Sequence, residues 1–284
     1  MATPAKLTLG IITCGRREKI KECLASIRDY VPEPYEIIVV DSLISDENKQ
    51  LYNATPFCRC IAFSKPISPA EARYRLTKEV QTPLLLFLDD DIVLEGGVVP
   101  LMMKHLDLFP EVQIVGTSWK EYGNFRDLGQ HIRFGMRNGR RCVFKTFEHY
   151  HETRQQGLEA LRVDCVHATM MMRTEIFSQV NFDPKFGFFF ELYDFFMQCK
   201  SKGIAIEALT GGLFHHRPIQ YEVTTKRQET PREEGATYFR DKWGVEPLGA
   251  LGEYRETLGG KIRVFARKVV AKVLGVTQTS SRNL

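Results

Sequence analysis

Between Leu7 and residue 88 short apolar runs alternate with amphipathic stretches, and this alternation limits the available folds more than any other feature of the chain. Leu7–Thr13, residues 35–40 ending at Asp41, a run near 60–63 and residues 84–88 read as strands. Arg17–Tyr30, with Ile20, Cys23, Leu24 and Ile27 on one face, reads as a helix, as do a short stretch at 46–52 and residues 69–80, which open with a proline in the first turn. Parallel strands need crossover connections, so a β-α-β-α-β-α-β series predicts an α/β fold with a mostly parallel central sheet and right-handed crossovers.

The last of these runs ends in three consecutive aspartates, Asp89, Asp90 and Asp91. Open α/β sheets bind ligands at the carboxyl ends of their strands. Carboxylates at such an end can hold Mg²⁺ or Mn²⁺ and still leave room for a substrate diphosphate. The competing reading is an acidic N-cap, with Asp91 or Glu95 near the positive end of a helix beginning around Gly96.

After Asp91 the pattern loosens. A helix is expected around 97–108 and a strand at 112–119, followed by two runs, 131–136 and 141–147, flanking Arg137-Asn138-Gly139-Arg140. Asn-Gly between apolar runs predicts a hairpin, hence a small antiparallel excursion. Residues 148–159 read as a surface loop, 163–173 as a strand, 174–180 as a short helix, 191–201 as a helix ended by Gly203, and 204–209 as a strand. The expected organisation is a nucleotide-binding half at about 1–95, an acceptor-side half at about 96–245, and a C-terminal extension over 246–284.

A 43% hydrophobic composition over 284 residues is enough to fill a core. The formal net charge of +4 is too mild, and too evenly spread before the last thirty residues, to indicate a nucleic-acid partner. Seven cysteines lying mostly in apolar stretches suit reduced thiols in a cytoplasmic protein, and Cys58-Arg-Cys60 lacks a second pair at zinc spacing. The opening residues contain no apolar core of signal-peptide length, and nowhere do about 18 apolar residues run together, so no membrane-crossing segment is expected.

Five segments, in this order, resemble the family 2 glycosyltransferases of the GT-A fold, the Rossmann-like nucleotide-sugar fold, over roughly residues 7–243. They are LTLGIITCGRREKIKECLASI, YEIIVVDS, PAEARYRL, LLLFLDDD and VDCVHATMMMRTEIFSQVNFDPKFGFFFELYDF. The resemblance implies nucleotide-sugar contacts from Thr13, Asp41, Arg73, Asp89 and Asp90, with Asp41 on uracil or ribose and Asp90 in a place where the family varies. A guanidinium such as that of Arg73 suits a diphosphate because its fork donates to two oxygens at once. Arg75, roughly 200° further around the helix, is expected in solvent.

The resemblance also gives Asp91 to the metal, with His215 or His216 as a further ligand, His216 preferred. Glu191-Leu192-Tyr193-Asp194 matches an acidic motif at the start of a helix, but Leu192 replaces the residue the family most often uses as base. Glu191 and Asp194 share a helix face, and either could deprotonate the acceptor, Glu191 being favoured. Phe186, Phe188, Phe189 and Phe190 would keep that carboxylate dry. Trp119, His167 and Tyr150 are candidate acceptor contacts, since aromatic faces stack on sugars.

The implied activity is a metal-dependent, inverting transfer of a hexosyl or N-acetylhexosaminyl group. Its donor is a nucleotide-diphosphate sugar, a UDP-sugar favoured, its acceptor a hydroxyl of a glycan or lipid-linked molecule, and its cofactor Mn²⁺ or Mg²⁺. The alternatives are a nucleotidylyltransferase of similar fold, for which Thr13-Cys14-Gly15-Arg16-Arg17 supplies too few glycines, and a catalytically silent carbohydrate- or nucleotide-binding module. In residues 261–276, Ile262, Phe265, Val269, Val273 and Val276 form a stripe among Lys261, Arg263, Arg267, Lys268 and Lys272. This is the pattern of a helix on an anionic membrane surface, which would make the protein peripheral on the cytoplasmic face; packing on its own domain or a subunit contact explains it equally.

Overall fold

The computed structural model describes residues 4–32, 34–218 and 226–250. In its front half β1 (Leu7–Thr13), α1 (Arg17–Tyr30), β2 (Tyr35–Asp41), α2 (Asp46–Ala54), β3 (Cys58–Ala62), α3 (Pro69–Glu79) and β4 (Leu84–Asp89) follow one another as the sequence pattern predicts. Two of these helices, α2 and α3, start where a serine side chain satisfies a free backbone amide. Ser45 accepts from Asn48 N and Ser68 from Glu71 N, the latter ahead of Pro69.

The back half adds β5 (Ile92–Leu94), α4 (Val98–Leu108), β6 (Ile114–Glu121), β7 (Asn124–Phe125), β8 (Asp127–Arg137), β9 (Arg140–His149), α5 (Tyr150–Gln155), β10 (Ala160–Val163) and β11 (Met170–Arg173). After two 3₁₀ turns come α6 (Glu191–Lys202), β12 (Ile206–His216), α7 (Lys226–Trp243) and β13 (Glu246–Ala250).

The main sheet runs β3-β2-β1-β4-β11-β6-β12-β10. Strands β1 to β4 are mutually parallel, β11 lies antiparallel between β4 and β6, and β12 is parallel to β6. One face is packed by Ile20, Leu24 and Ile27 of α1 with Val99 and Met102 of α4, the other by Leu76 of α3 and Phe195 and Phe196 of α6. Gly10 lets α3 approach β1 closely: a Cβ there would stand 2.6 Å from Leu76 Cδ2.

The predicted hairpin is present. β8 and β9 pair antiparallel around Asn138 and Gly139, both at positive φ, as a two-residue hairpin turn requires. β13 pairs in parallel with β9, so the described fold continues past residue 245.

Other expectations need correction. The run at 163–173 is two strands: β10 pairs with β12, Cys165 bridges to Gln130 of β8, and β11 inserts between β4 and β6. Met170, Met171 and Met172 are buried on both faces of the sheet, so no alternation marks where one strand ends and the next begins. The expected loop at 148–159 contains α5, a helix of 6 residues and too short to show a period. The strand expected at 204–209 continues to His216, with a register shift between Leu209 and Leu213. The strands β5 and β7, of three and two residues, are too short to show a period, and α7 is too polar to show an apolar face. The basic stripe over 261–276 lies outside the described residues.

Candidate active site

The carboxyl ends of β1, β2 and β4 and the amino end of α6 meet at one edge of the sheet. Parallel pairing places Thr13 beside Asp41 and Ile12 beside Asp89, so residues 77 positions apart come level. Asp41 is fully buried, and its two oxygens accept from Gly15 N and Leu43 N at 3.0 Å, Asn48 Nδ2 at 3.1 Å and the Tyr52 hydroxyl at 2.8 Å. Its carboxylate therefore shapes the loop after β1 from beneath.

On that loop, Thr13 donates its hydroxyl to Asp90 Oδ2. Arg16, a residue the sequence reading did not single out as functional, sets Nε 2.9 Å from Asp90 Oδ2 and Nη1 3.1 Å from Asp91 Oδ2, with Nη2 against Asp90 Oδ1. Burial pushes the Asp90 carboxyl up to about 6, against the pull of Arg16 and Thr13. At Asp91 burial also raises the pKa, but His216 and Arg16 outweigh it, and the group sits below the ordinary carboxylate range.

His216 reaches Asp91 because β12 pairs antiparallel with β5, with His216 opposite Ile92. Its Nε2 lies 3.6 Å from Asp91 Oδ1 and its Nδ1 2.9 Å from Glu121 Oε2. Burial lowers the pKa of His216, but the two carboxylates more than offset this and raise it. Glu121, also absent from the sequence-derived set, is held on its other side by Arg126 at 2.7 and 3.0 Å. His215 points to the opposite face, as alternation along a strand demands, and pairs with Glu95 at 3.5 Å.

Trp119 lies between two histidines, its ring centroid 4.4 Å from that of His167 and 4.7 Å from that of His216. Its indole N–H is buried and has no hydrogen-bond acceptor. His167 Nε2 lies 2.7 Å from Asp127 O, and burial depresses its pKa. Tyr150 belongs to the core, stacked on Phe125 at 4.6 Å, with its hydroxyl donated to Thr210 O.

Across the cleft, Arg73 donates from Nη2 to Asp89 Oδ1 at 2.9 Å and from Nη1 to Glu191 Oε1 at 3.1 Å. Arg75 lies exposed and paired to Glu71 within the same helix. Burial raises the pKa of Glu191, partly countered by Arg73. Asp194, on the same helix, faces inward: it accepts from Trp243 Nε1 at 2.8 Å, Gln198 Nε2 at 2.8 Å and Lys242 Nζ at 3.0 Å. Phe190, which precedes α6, has φ of 71°, a strained conformation for a bulky residue, and Gly235 of α7 packs closely on it. Of the four phenylalanines expected to dry the site, Phe186 is buried whereas Phe188 is 59% exposed.

Among the described residues no three His, Cys, Asp or Glu side chains form a ready metal cage. Mg²⁺ and Mn²⁺ sites on nucleotides commonly take one or two protein ligands and complete their shell with phosphate oxygens and water. The carboxylate of Asp91 and the imidazole of His216 fit that open arrangement.

A Rossmann-like sheet that gathers these carboxylates and guanidiniums at its carboxyl edge, where such sheets bind ligands, has the architecture of the GT-A glycosyltransferases. The model of glycosyl transferase family 2 matches residues 8–180, and the chain belongs to that family. Among solved structures it is similar to S. aureus TarS, with TM-score 0.57 and 15% identity over 75% of this chain and 37% of that one. It is also similar to TarS residues 1–349 in complex with UDP-GlcNAc, with TM-score 0.58 and 15% identity over 76% and 60% of the two chains. GalNAc-T7 with UDP, GalNAc and Mn²⁺ matches with TM-score 0.59 and 13% identity over 77% and 44%. The chain thus spans between 37% and 60% of the length of these three chains, less than two thirds of each. No curated protein matches the chain. No helix among the described residues is long and apolar enough to cross a membrane.

Proposed function

We propose that the protein transfers a hexosyl or N-acetylhexosaminyl group from a UDP-sugar to a hydroxyl of a glycan or lipid-linked acceptor, with inversion and with Mn²⁺ or Mg²⁺ bound. The observation that carries this reading is the Arg73 bridge, which puts the donor-side strand end at Asp89 and the acidic helix start at Glu191 in a single cleft. Solved proteins of the same fold hold UDP with Mn²⁺ and UDP-GlcNAc, which supports a UDP-sugar donor. Membership in the family sets aside the nucleotidylyltransferase alternative.

In this reading Thr13, Asp89 and Asp90 line the nucleotide, and Asp41 acts through the loop it holds. Arg73 orients the diphosphate and keeps Glu191 turned toward the acceptor. Asp91 and His216 hold the metal, with His215 outside its reach, and the bound metal supplies charge that stabilises the departing diphosphate. Glu191 takes the acceptor's hydroxyl proton as the oxygen attacks the anomeric carbon opposite the leaving group, and its raised pKa makes it a stronger base than an exposed carboxylate. Asp194 anchors α6 to α7. Trp119 and His167, packed beside His216, offer their ring edges to an acceptor sugar, whereas Tyr150 packs in the core against Phe125. The transferase unit is the body up to about residue 245 with β13 packed on it; the remaining extension places the enzyme peripherally on the cytoplasmic side of a membrane.

A screen of nucleotide sugars by thermal shift, with and without Mn²⁺, tests the reading: a UDP-sugar should stabilise the protein more with metal than without. A protein unmoved by every nucleotide sugar under both conditions would overturn it.

A further inference from the structure

The acidic end of β4 already carries a cation. Arg16 spans Asp90 and Asp91 through Nε, Nη1 and Nη2, and only 25% of its side chain is exposed. Asp90 is fully buried and Asp91 nearly so, and buried carboxylates require compensating charge. The other charged groups facing this pair are committed elsewhere. His216 reaches only Asp91 and is shared with Glu121, while Arg73 holds Asp89 and Glu191. Arg16 is thus the counter-charge of Asp90.

A guanidinium and a divalent cation cannot occupy the same face of Asp91 together, because their charges repel strongly at contact distance in a partly desolvated cleft. The guanidinium fork, however, matches a diphosphate as well as it matches carboxylates. Arg16 sits ahead of the first residue of α1, so its movement leaves the helix wound. Its neighbour Gly15 adopts φ of +68°, and a Cβ there would stand 2.7 Å from Leu43 O, so the loop turns at a residue that only glycine suits.

We propose that Arg16 is a mobile counter-cation that holds Asp90 and Asp91 until the donor arrives and then passes its guanidinium to the diphosphate, so that metal and nucleotide bind cooperatively. The proposal rests on the assignment of Asp91 to the metal. It makes Arg16 a donor-binding residue whose resting place suppresses metal binding in the absence of nucleotide. Coupling between two ligands of one protein commonly lies between about 5- and 150-fold.

The test is direct Mn²⁺ binding to the full chain, read by electron paramagnetic resonance with and without saturating UDP and corrected for the Mn·UDP complex in solution. Wild type should bind Mn²⁺ on the order of tenfold more tightly with UDP than without. Arg16→Gln should bind Mn²⁺ alone more tightly than wild type and gain little from UDP, while its affinity for UDP falls. Arg16→Lys keeps the charge but cannot span both carboxylates, so its coupling should fall between the two; this variant decides the matter if the glutamine variant does not fold. Coupling unchanged in the lysine variant, or free-metal affinity unchanged in the glutamine variant, overturns the role of Arg16. Wild type that binds UDP but no Mn²⁺, with Asp91→Asn behaving identically, overturns instead the metal assignment on which the proposal stands.

Discussion

The guanidinium of Arg73 lies 3.1 Å from the carboxylate of Glu191, although 118 residues separate them in the chain. Its second arm reaches Asp89, so a single buried side chain sets the distance between the donor end of the cleft and the helix start that carries the base. Both contacts are charge-assisted, and a carboxylate left buried without its partner is costly.

Arg73→Ala is therefore expected to weaken UDP binding by about 1.5–3 kcal/mol, the range for a hydrogen bond to a charged group. Arg75→Ala should change it little, because that side chain is exposed and bonded to Glu71. Isothermal titration with UDP compares the two; equal losses would refute the placement of Arg73 in the cleft.

Glu191→Gln keeps the shape of the side chain but cannot take a proton, and should lower kcat by roughly 10²–10⁴ with donor affinity nearly unchanged. Asp194→Asn acts differently. With Asp194 fully buried and tied to Lys242 and Trp243, the variant should lose about 1–3 kcal/mol of stability and reduce turnover only mildly. Turnover and melting temperature of both variants, measured together, separate base from anchor. Collapse of turnover in Asp194→Asn with normal melting would reverse the roles.

The pH dependence of transfer should follow from the same carboxyl. Glu191 is held above the usual carboxylate range by burial, so its ionised, proton-accepting form appears only above that raised value. The acidic limb of kcat against pH is expected above the ordinary glutamate range near 4.3 and should be absent in Glu191→Gln. A limb at the same pH in both enzymes would assign it to another group.

Asp91→Ala removes the carboxylate between Arg16 and His216. Transfer should be abolished, and UDP should bind the variant equally with and without Mn²⁺. Turnover retained in the presence of metal would show that Asp91 does not hold it.

Deleting the segment after Gly259 is expected to leave a folded, UDP-binding protein that no longer sediments with anionic vesicles. The basic and apolar stripe between Lys261 and Val276 motivates this expectation. Failure of the full chain to bind such vesicles would favour packing of the stripe against protein.

Much of this molecule is written locally. The parallel half of the sheet, its three crossover helices and the aspartates at the end of β4 follow from apolar periods and from turn residues such as Ser45, Ser68 and Pro69, all of which act within a few positions of themselves. The Asn138-Gly139 hairpin belongs to the same class. Neither a period nor a turn determines where a side chain's charge is answered. Asp41 stands where a nucleotide contact is expected, yet its oxygens are filled by donors from three separate segments. Asp194 shares a helix face with Glu191 and is distinguished from it by its partners, among them Lys242 and Trp243 of a helix 48 and 49 residues away. Arg16, 74 residues from Asp90, and Glu121, 95 residues from His216, enter the site with no sequence signal at all. Local periodicity sets which elements form, because backbone and burial preferences act over one or two turns. The electrostatics of the cleft belongs to the tertiary structure, because a buried carboxylate takes its partner from whichever distant segment the packed sheet brings within about 3 Å.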